Sequence, residues 1–209
     1  CILSIYCASA FKEYLMPAVK NADTSIMLSK SVFSLYDDVE LPMENIENKW
    51  HIEKLDEGYI HYTISKLPYE KQALQDGDLL TLTLLGGQVI NIIVKEVKES
   101  FHVYQKFDIS NITTVTIGKN DTNMLQYNNL NLVSREHCNI VRRGNTYILQ
   151  DTSANGVFVN EMRINQQKQL VVGDCINVFG LSMVFLGNVL AVDMDDENLK
   201  IKPNSLIPY

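Results

Sequence analysis

The chain is poor in the groups that do chemistry. Its four cysteines, Cys1, Cys7, Cys138 and Cys175, include no C-x-x-C pair, so a zinc knuckle and a thiol redox motif are both excluded. Positive charge is scarce: 18 Lys and Arg stand against 25 Asp and Glu, a net charge of -7. A general nucleic-acid binder would carry a basic stripe, so that class is set aside. Apolar runs are short. The longest candidate, Leu79 to Val94, alternates like a hairpin and is cut by Gly86-Gly87. It falls short of the roughly 20 apolar residues that cross a bilayer as a helix, so no direct membrane insertion is expected. No G-x-S-x-G elbow and no G-x-x-x-x-G-K-[ST] phosphate cradle occurs. No Asp, Glu and His cluster has metal-ligand spacing, so neither metal nor cofactor is expected.

What the chain has is strand signal. Val, Ile, Leu, Tyr and Thr recur in short runs broken by Gly, Asn and Asp. Strands are predicted at Thr114–Ile117, Cys138–Val141, Thr146–Gln150, Gly156–Val159, Cys175–Phe179 and Met183–Leu186. Turns carry Arg143-Gly144-Asn145 and Val172-Gly173-Asp174. Met43 to Leu55 is weakly helix-periodic, but Asn45, Asn48 and Trp50 argue against a helix. Many short strands at this spacing predict an all-β sandwich or barrel. Cys138 and Cys175 fall among apolar residues and read as buried free thiols. Reduced thiols without a signal sequence point to the cytoplasm. A start at Cys1 rather than Met reads as a piece of a longer chain. A lipid-modified Cys1 is set aside because Ile2-Leu3 is bulky.

Three clusters punctuate the second half: Gly118-Lys119, Ser134-Arg135-Glu136-His137, and Asp151-Thr152-Ser153-Ala154-Asn155-Gly156 running into Val157-Phe158-Val159-Asn160. They supply cations, hydroxyls and amides, with no activated nucleophile or strong base. A phosphate dianion needs several donors and positive charge around it. Ser134 offers a hydroxyl, and Lys119 and Arg135 offer charge. Asn155 brings amide donors and a carbonyl acceptor. Asn128, Asn129 and Asn131 precede Ser134 and could face a ligand. Each residue also has a plain reading. Asn155-Gly156 can be a turn, Asp151 a turn cap, His137 a structural histidine and Arg135 a solvated charge. A triad of Ser134, His137 and Asp151 lacks an elbow and oxyanion donors, so catalysis is not expected.

In order, G-K…S-R-x-H…D-x-S-x-N-G-V-F-V-N resembles the forkhead-associated (FHA) domain, a β-sandwich that reads phosphothreonine in peptides. The resemblance implies a phosphopeptide site at Lys119, Ser134, Arg135, Ser153 and Asn155. It also implies a structural framework of Gly118, His137, Asp151 and Gly156. Gly118 would end a strand, and Lys119 stands where the family usually has Arg. Lysine attracts phosphate as a point charge without the bidentate fork. Asn155 would clamp the ligand backbone, and His137 would brace the Ser134 loop. Ser153 would either hold its own loop or touch the peptide.

The first half echoes the second. Gln75-Asp76-Gly77-Asp78 feeds an apolar run as Val171-Val172-Gly173-Asp174 does. Leu28 to Leu35 lies over Val133 to Ile140, putting Ser29-Lys30 at Ser134-Arg135 and Val32 at His137. Trp50-His51-Ile52 resembles Tyr147-Ile148-Leu149, and Glu57-Gly58 lies over Asn155-Gly156. Pro17 is near the place of the strand-end motif. The expectation is two tandem FHA-like β-sandwiches. Residues 1–98 would be a degenerate copy without phosphate recognition, 99–192 a copy with the motif, and 193–209 an acidic, Pro-containing linker.

The opening Leu3 to Pro17, succeeded by two such copies, resembles the N-terminal cytoplasmic region of EssC/YukA-type, FtsK/SpoIIIE-like ATPases of type VII secretion systems. That resemblance implies a docking or regulatory module on the cytoplasmic face of a membrane protein. Its partners would be a phosphothreonine-containing or an unphosphorylated protein, including other secretion components.

Overall fold

The computed structural model describes residues 1–16, 23–95 and 104–209. Pro17 and most of the stretch around residues 97–107 lie outside them. The protein is nearly all β, as its alternating apolar residues require. The chain forms two compact units, Cys1–Glu99 and Ser100–Tyr209.

The first unit contains β1 (Ile2–Tyr6), β2 (Phe11–Leu15), β3 (Asp23–Leu28), a one-turn helix α1 (Lys30–Phe33), β4 (Val39–Ile46), β5 (Lys49–Ile52), β6 (Tyr59–Tyr62), β7 (Leu79–Thr83) and β8 (Val89–Lys95). They form a five-stranded sheet, β2-β1-β8-β7-β6, and a three-stranded sheet, β3-β4-β5. Leu3, Ile5, Leu28, Leu41, Met43, Ile52, Leu80 and Ile92 fill the core between them. The stretch from Met43 to Ile52 is a β4-β5 hairpin rather than a helix. The inward residues Val39, Leu41, Met43 and Asn45 alternate along β4 at period two.

The second unit has β9 (Tyr104–Asp108), β10 (Thr114–Gly118), β11 (Leu125–Tyr127), a 3-10 turn (Leu130–Leu132), β12 (Cys138–Arg143), β13 (Thr146–Asp151), β14 (Phe158–Val159), β15 (Met162–Arg163), β16 (Gln167–Gln169), β17 (Cys175–Val178), β18 (Leu181–Phe185), β19 (Val189–Asp193), β20 (Leu199–Ile201) and β21 (Ile207–Pro208). One sheet runs β16-β13-β12-β10-β11-β20 and the other β15-β14-β17-β18-β19-β9-β21. Gly144, at φ +62, makes the two-residue turn of the β12-β13 hairpin.

Two expectations are corrected here. The segment 193–209, expected to be a linker, is built into the sandwich. β20 pairs with β11, β21 pairs with β9, and Leu199 and Leu206 are buried. Cys138 is buried, and burial raises its thiol pKa far above the usual range. Cys175, by contrast, opens β17 on the outward register and is exposed.

Each unit contains the same turn. In the first, Gly77 N–H donates to Val94 O, Val94 N–H to Asp78 O, and Gln75 N–H to the Asp78 carboxylate. In the second, Gly173, Phe185, Asp174 and Val171 repeat that wiring. The strand-end motif also recurs, in a register different from the one expected. Leu28 pairs with Val39 as Ile117 pairs with Cys138. Ser29-Lys30 therefore comes after its strand as Gly118-Lys119 does, and is not the counterpart of Ser134-Arg135. The loop between the paired residues is 29–38 in the first unit and 118–137 in the second, ten residues against twenty. Counting back from Val39 puts Leu35 at the place of Ser134 and Asp38, rather than Val32, at that of His137. Asp38 also braces its loop, accepting a 2.8 Å hydrogen bond from Lys30 N–H.

Candidate functional site

The strand β10 ends at Gly118, and the Ser134 loop lies directly against it. His137 N–H donates to Ile117 O at 2.8 Å, Lys119 N–H to Ser134 O at 3.0 Å and Asn120 N–H to Arg135 O at 3.2 Å. This close approach is why glycine occupies position 118. A Cβ there would lie 2.3 Å from Arg135 O and 2.9 Å from His137 N, both backbone atoms that cannot swing aside. Asn123, buried in a polar loop with no periodic signal, donates its amide to Asn120 O and Arg135 O. Sequence reasoning missed it.

His137 sits under the loop, fully buried. Its Nδ1 accepts the Ser134 N–H at 3.0 Å, so the proton is on Nε2, which donates to Gly156 O at 3.0 Å. Burial lowers its pKa below the ordinary histidine value, while the Gly156 carbonyl and Asp151 pull the other way. The imidazole is thus a neutral brace that joins the Ser134 loop to the Asn155-Gly156 turn. Phe179 packs edge-on against it, with ring centroids 6.0 Å apart.

The second loop is wired from within. Asp151 Oδ1 accepts from Ser153 N–H at 2.9 Å and Ser153 Oγ at 2.6 Å, and Ser153 Oγ in turn accepts from Gly156 N–H at 2.7 Å. Both hydrogen-bonding roles of the Ser153 hydroxyl are taken up in shaping the loop. Thr152 ties it to the first loop by donating to the carbonyls of Glu136 and His137. Gly156, at φ +103, adopts a backbone that side chains resist, and Arg163 packs over it.

The remaining site groups lie at the rim. Ser134 Oγ accepts from Ala154 N–H at 3.2 Å, and its own proton has no acceptor among the described residues. Lys119 is half-buried and Arg135 exposed, and neither is in an ion pair among the described residues. Asn155 donates its amide to Leu132 O at 2.9 Å, linking the two loops. The structure thus brings Lys119, Ser134, Arg135, Ser153 and Asn155 together around one pair of loops, with Gly118, His137, Asp151 and Gly156 beneath. Asn129 does not face a ligand. Its amide donates inward to Phe179 O at 2.8 Å and to Tyr127 Oη at 3.1 Å. Asn128 and Asn131 are exposed.

The arrangement offers an outward hydroxyl donor and the Arg135 cation on a loop fixed from below, with Lys119 at the adjoining end of β10, which suits a small oxyanion. Among the described residues no group of three or more His, Cys, Asp and Glu could hold a metal ion. No helix among them is long and apolar enough to cross a membrane.

The family model for the FHA domain matches residues 115–178. No curated protein matches the sequence. Among solved structures, the chain is similar to the N-terminal FHA domain from EssC, a component of the bacterial type VII secretion apparatus. The identity is 10% and the TM-score 0.64, over 99% of this chain and 96% of that one. At this identity the likeness is one of fold. Lesser similarity links it to Mycobacterium tuberculosis EmbR in complex with a low-affinity phosphopeptide, at 22% identity and a TM-score of 0.34, over 65% of this chain and 25% of that one. It is also similar to the FHA-2 domain of a Mycobacterium tuberculosis ABC transporter, at 24% identity and a TM-score of 0.35, over 50% of this chain and 89% of that one. The family-model match thus lies on the strands and loops just described, within the second unit, Ser100–Tyr209.

Proposed function

We propose that the second unit binds phosphothreonine peptides through Lys119, Ser134, Arg135 and Asn155, with Ser153 shaping the loop. The observation that carries this is the Ser134 loop itself. Its hydroxyl proton is uncommitted and its backbone is pinned by His137 and Gly118, so little ordering is left to do when a phosphate arrives. Lys119 and Arg135 supply the charge. The whole chain then acts as a docking and regulatory module, without catalysis or cofactor. The fold likeness to the EssC FHA region, together with the layout of two units, supports a place on the cytoplasmic face of a type VII secretion ATPase.

The test is calorimetric titration with a phosphothreonine peptide library. A Kd near micromolar is expected, about -8 kcal/mol. Ser134→Ala should weaken it by at least about tenfold while the circular dichroism spectrum is unchanged. Equal binding by Ser134→Ala would refute the site.

A second reading, phosphate-independent docking, is favoured for the first unit. Its corresponding loop is ten residues shorter, and Leu35 stands at the place of Ser134. A partner of that unit should stay bound after phosphatase treatment, and its release would count against this reading.

A further inference from the structure

We infer that Asp196 and the strand after it position the Ser134 loop. The inference rests on reading that loop as the phosphopeptide site. β20 pairs with β11, the last strand before the loop, through Leu125↔Ile201, Gln126↔Lys200 and Tyr127↔Leu199. The pairing is extended by Asn128 N–H to Asn198 O at 3.2 Å and Lys202 N–H to Met124 O at 2.9 Å.

A side-chain relay continues from there. Asp196 Oδ1 is held by Asn198 N–H at 2.9 Å, which orients the carboxylate. Its Oδ2 accepts the Tyr127 hydroxyl at 2.8 Å. Tyr127, fully buried, accepts in turn from Asn129 Nδ2 at 3.1 Å, whose amide also donates to Phe179 O at 2.8 Å. Asn129 therefore fixes the start of the loop, five residues before Ser134. Phe179 meets the same loop's other brace through its ring contact with His137.

The relay makes a specific consequence. The Tyr127 hydroxyl lies 3.0 Å from Phe179 O as well as beside Asp196. It has one proton to give. Without the Asp196 carboxylate the hydroxyl loses the acceptor that orients it and its proton is left to Phe179 O, so the lone pair it offers to Asn129 is no longer fixed in direction. The buried tyrosine stays satisfied, so the fold survives, while the hold of Asn129 on the loop weakens. Asp196 is a positioning residue, remote from any ligand atom.

The experiment compares Asp196→Ala, Asp196→Asn and Lys168→Ala in the whole chain. Lys168→Ala serves as a stability control, because it breaks the ion pair with Asp174, which is no part of the relay. Amide hydrogen exchange at 131–135 is read without ligand. In Asp196→Ala it should quicken by about tenfold, and in Asp196→Asn by less, because its single carbonyl can serve Asn198 N–H or the Tyr127 hydroxyl but not both. Phosphothreonine peptide affinity should fall several-fold in Asp196→Ala and less in Asp196→Asn. Unchanged exchange in Asp196→Ala, or equal quickening in Lys168→Ala, overturns the inference. If the unmutated chain binds no phosphopeptide, the site reading fails instead, and the exchange data still decide whether Asp196 positions the loop.

Discussion

His137 shows how one side chain can hold a site while remaining chemically inert. Its two nitrogens are committed to Ser134 N–H and Gly156 O, which demands the neutral Nε2–H form. Protonation would put a hydrogen on Nδ1, pointing at the Ser134 amide hydrogen. Burial already holds the pKa of the folded state below the ordinary value of about 6.5. Below that value the unfolded chain takes up a proton that the folded chain resists. The stabilisation is therefore complete above pH 6.5 and is lost as pH falls through the folded-state value. Urea unfolding at pH 7.5 and 5.0 should show a larger loss of stability for the native chain than for His137→Gln. Equal losses would show that His137 does not carry the effect. Phosphopeptide affinity, a property of the folded chain, should decline only as pH falls through the lower folded-state value, where the Ser134 loop loses its acceptor.

At the scale of elements, the Gly-Asp turn recurs in both units with different reinforcement. Asp78 accepts from Gln75 N–H, and burial raises its pKa. Asp174 is 2% exposed. Burial pushes its pKa up too, but the Lys168 ammonium, Val171 N–H and the Asn160 amide outweigh it and the net shift is downward. Lys168 Nζ lies 2.7 Å from the carboxylate, and Asn160 Nδ2 lies 2.8 Å away. One carboxylate thereby ties together β16, the turn after β14 and the start of β17. Asp174→Ala leaves several donors without a partner and should cost about 2–4 kcal/mol. Chemical denaturation checks this, and a cost below about 0.5 kcal/mol, the level of an ordinary surface change, would refute it. Asp78→Ala should cost less, since fewer groups depend on it.

At the scale of the molecule, the second unit is completed by its last residues. β20 and β21 each add an edge strand, one per sheet, and Leu199 and Leu206 are buried under them. Burying a leucine is worth about 1.5–3 kcal/mol. Residues 100–209 should unfold cooperatively as a separate protein. Ending the chain at 193 should lower its Tm by more than about 10 °C, since about 1 kcal/mol moves a domain of this size by roughly 4–8 °C. Equal Tm values for the two lengths would show the tail to be the linker its composition suggested.

Strand positions, the all-β class and the grouping of the site into two loops were legible in the sequence, because each depends on short-range features. Period-two alternation marks Thr114–Gly118 and Cys138–Arg143, and Gly-Asn or Gly-Asp pairs mark the turns. The partner of a strand is a non-local choice, and there the sequence ran out. Composition made 193–209 a linker, while free sheet edges and two buried leucines drew it into the fold. Apolar similarity laid Ser29-Lys30 over Ser134-Arg135, while pairing of Leu28 with Val39 moved them to the strand end. Asn129 had the look of a ligand contact until the tertiary structure placed Tyr127 and Phe179 beside its amide. The sequence by itself determined which chemical groups exist and which segments are extended. Only the tertiary structure decided which edges were left to pair, and so which polar groups bind each other and which are left facing outward for a ligand.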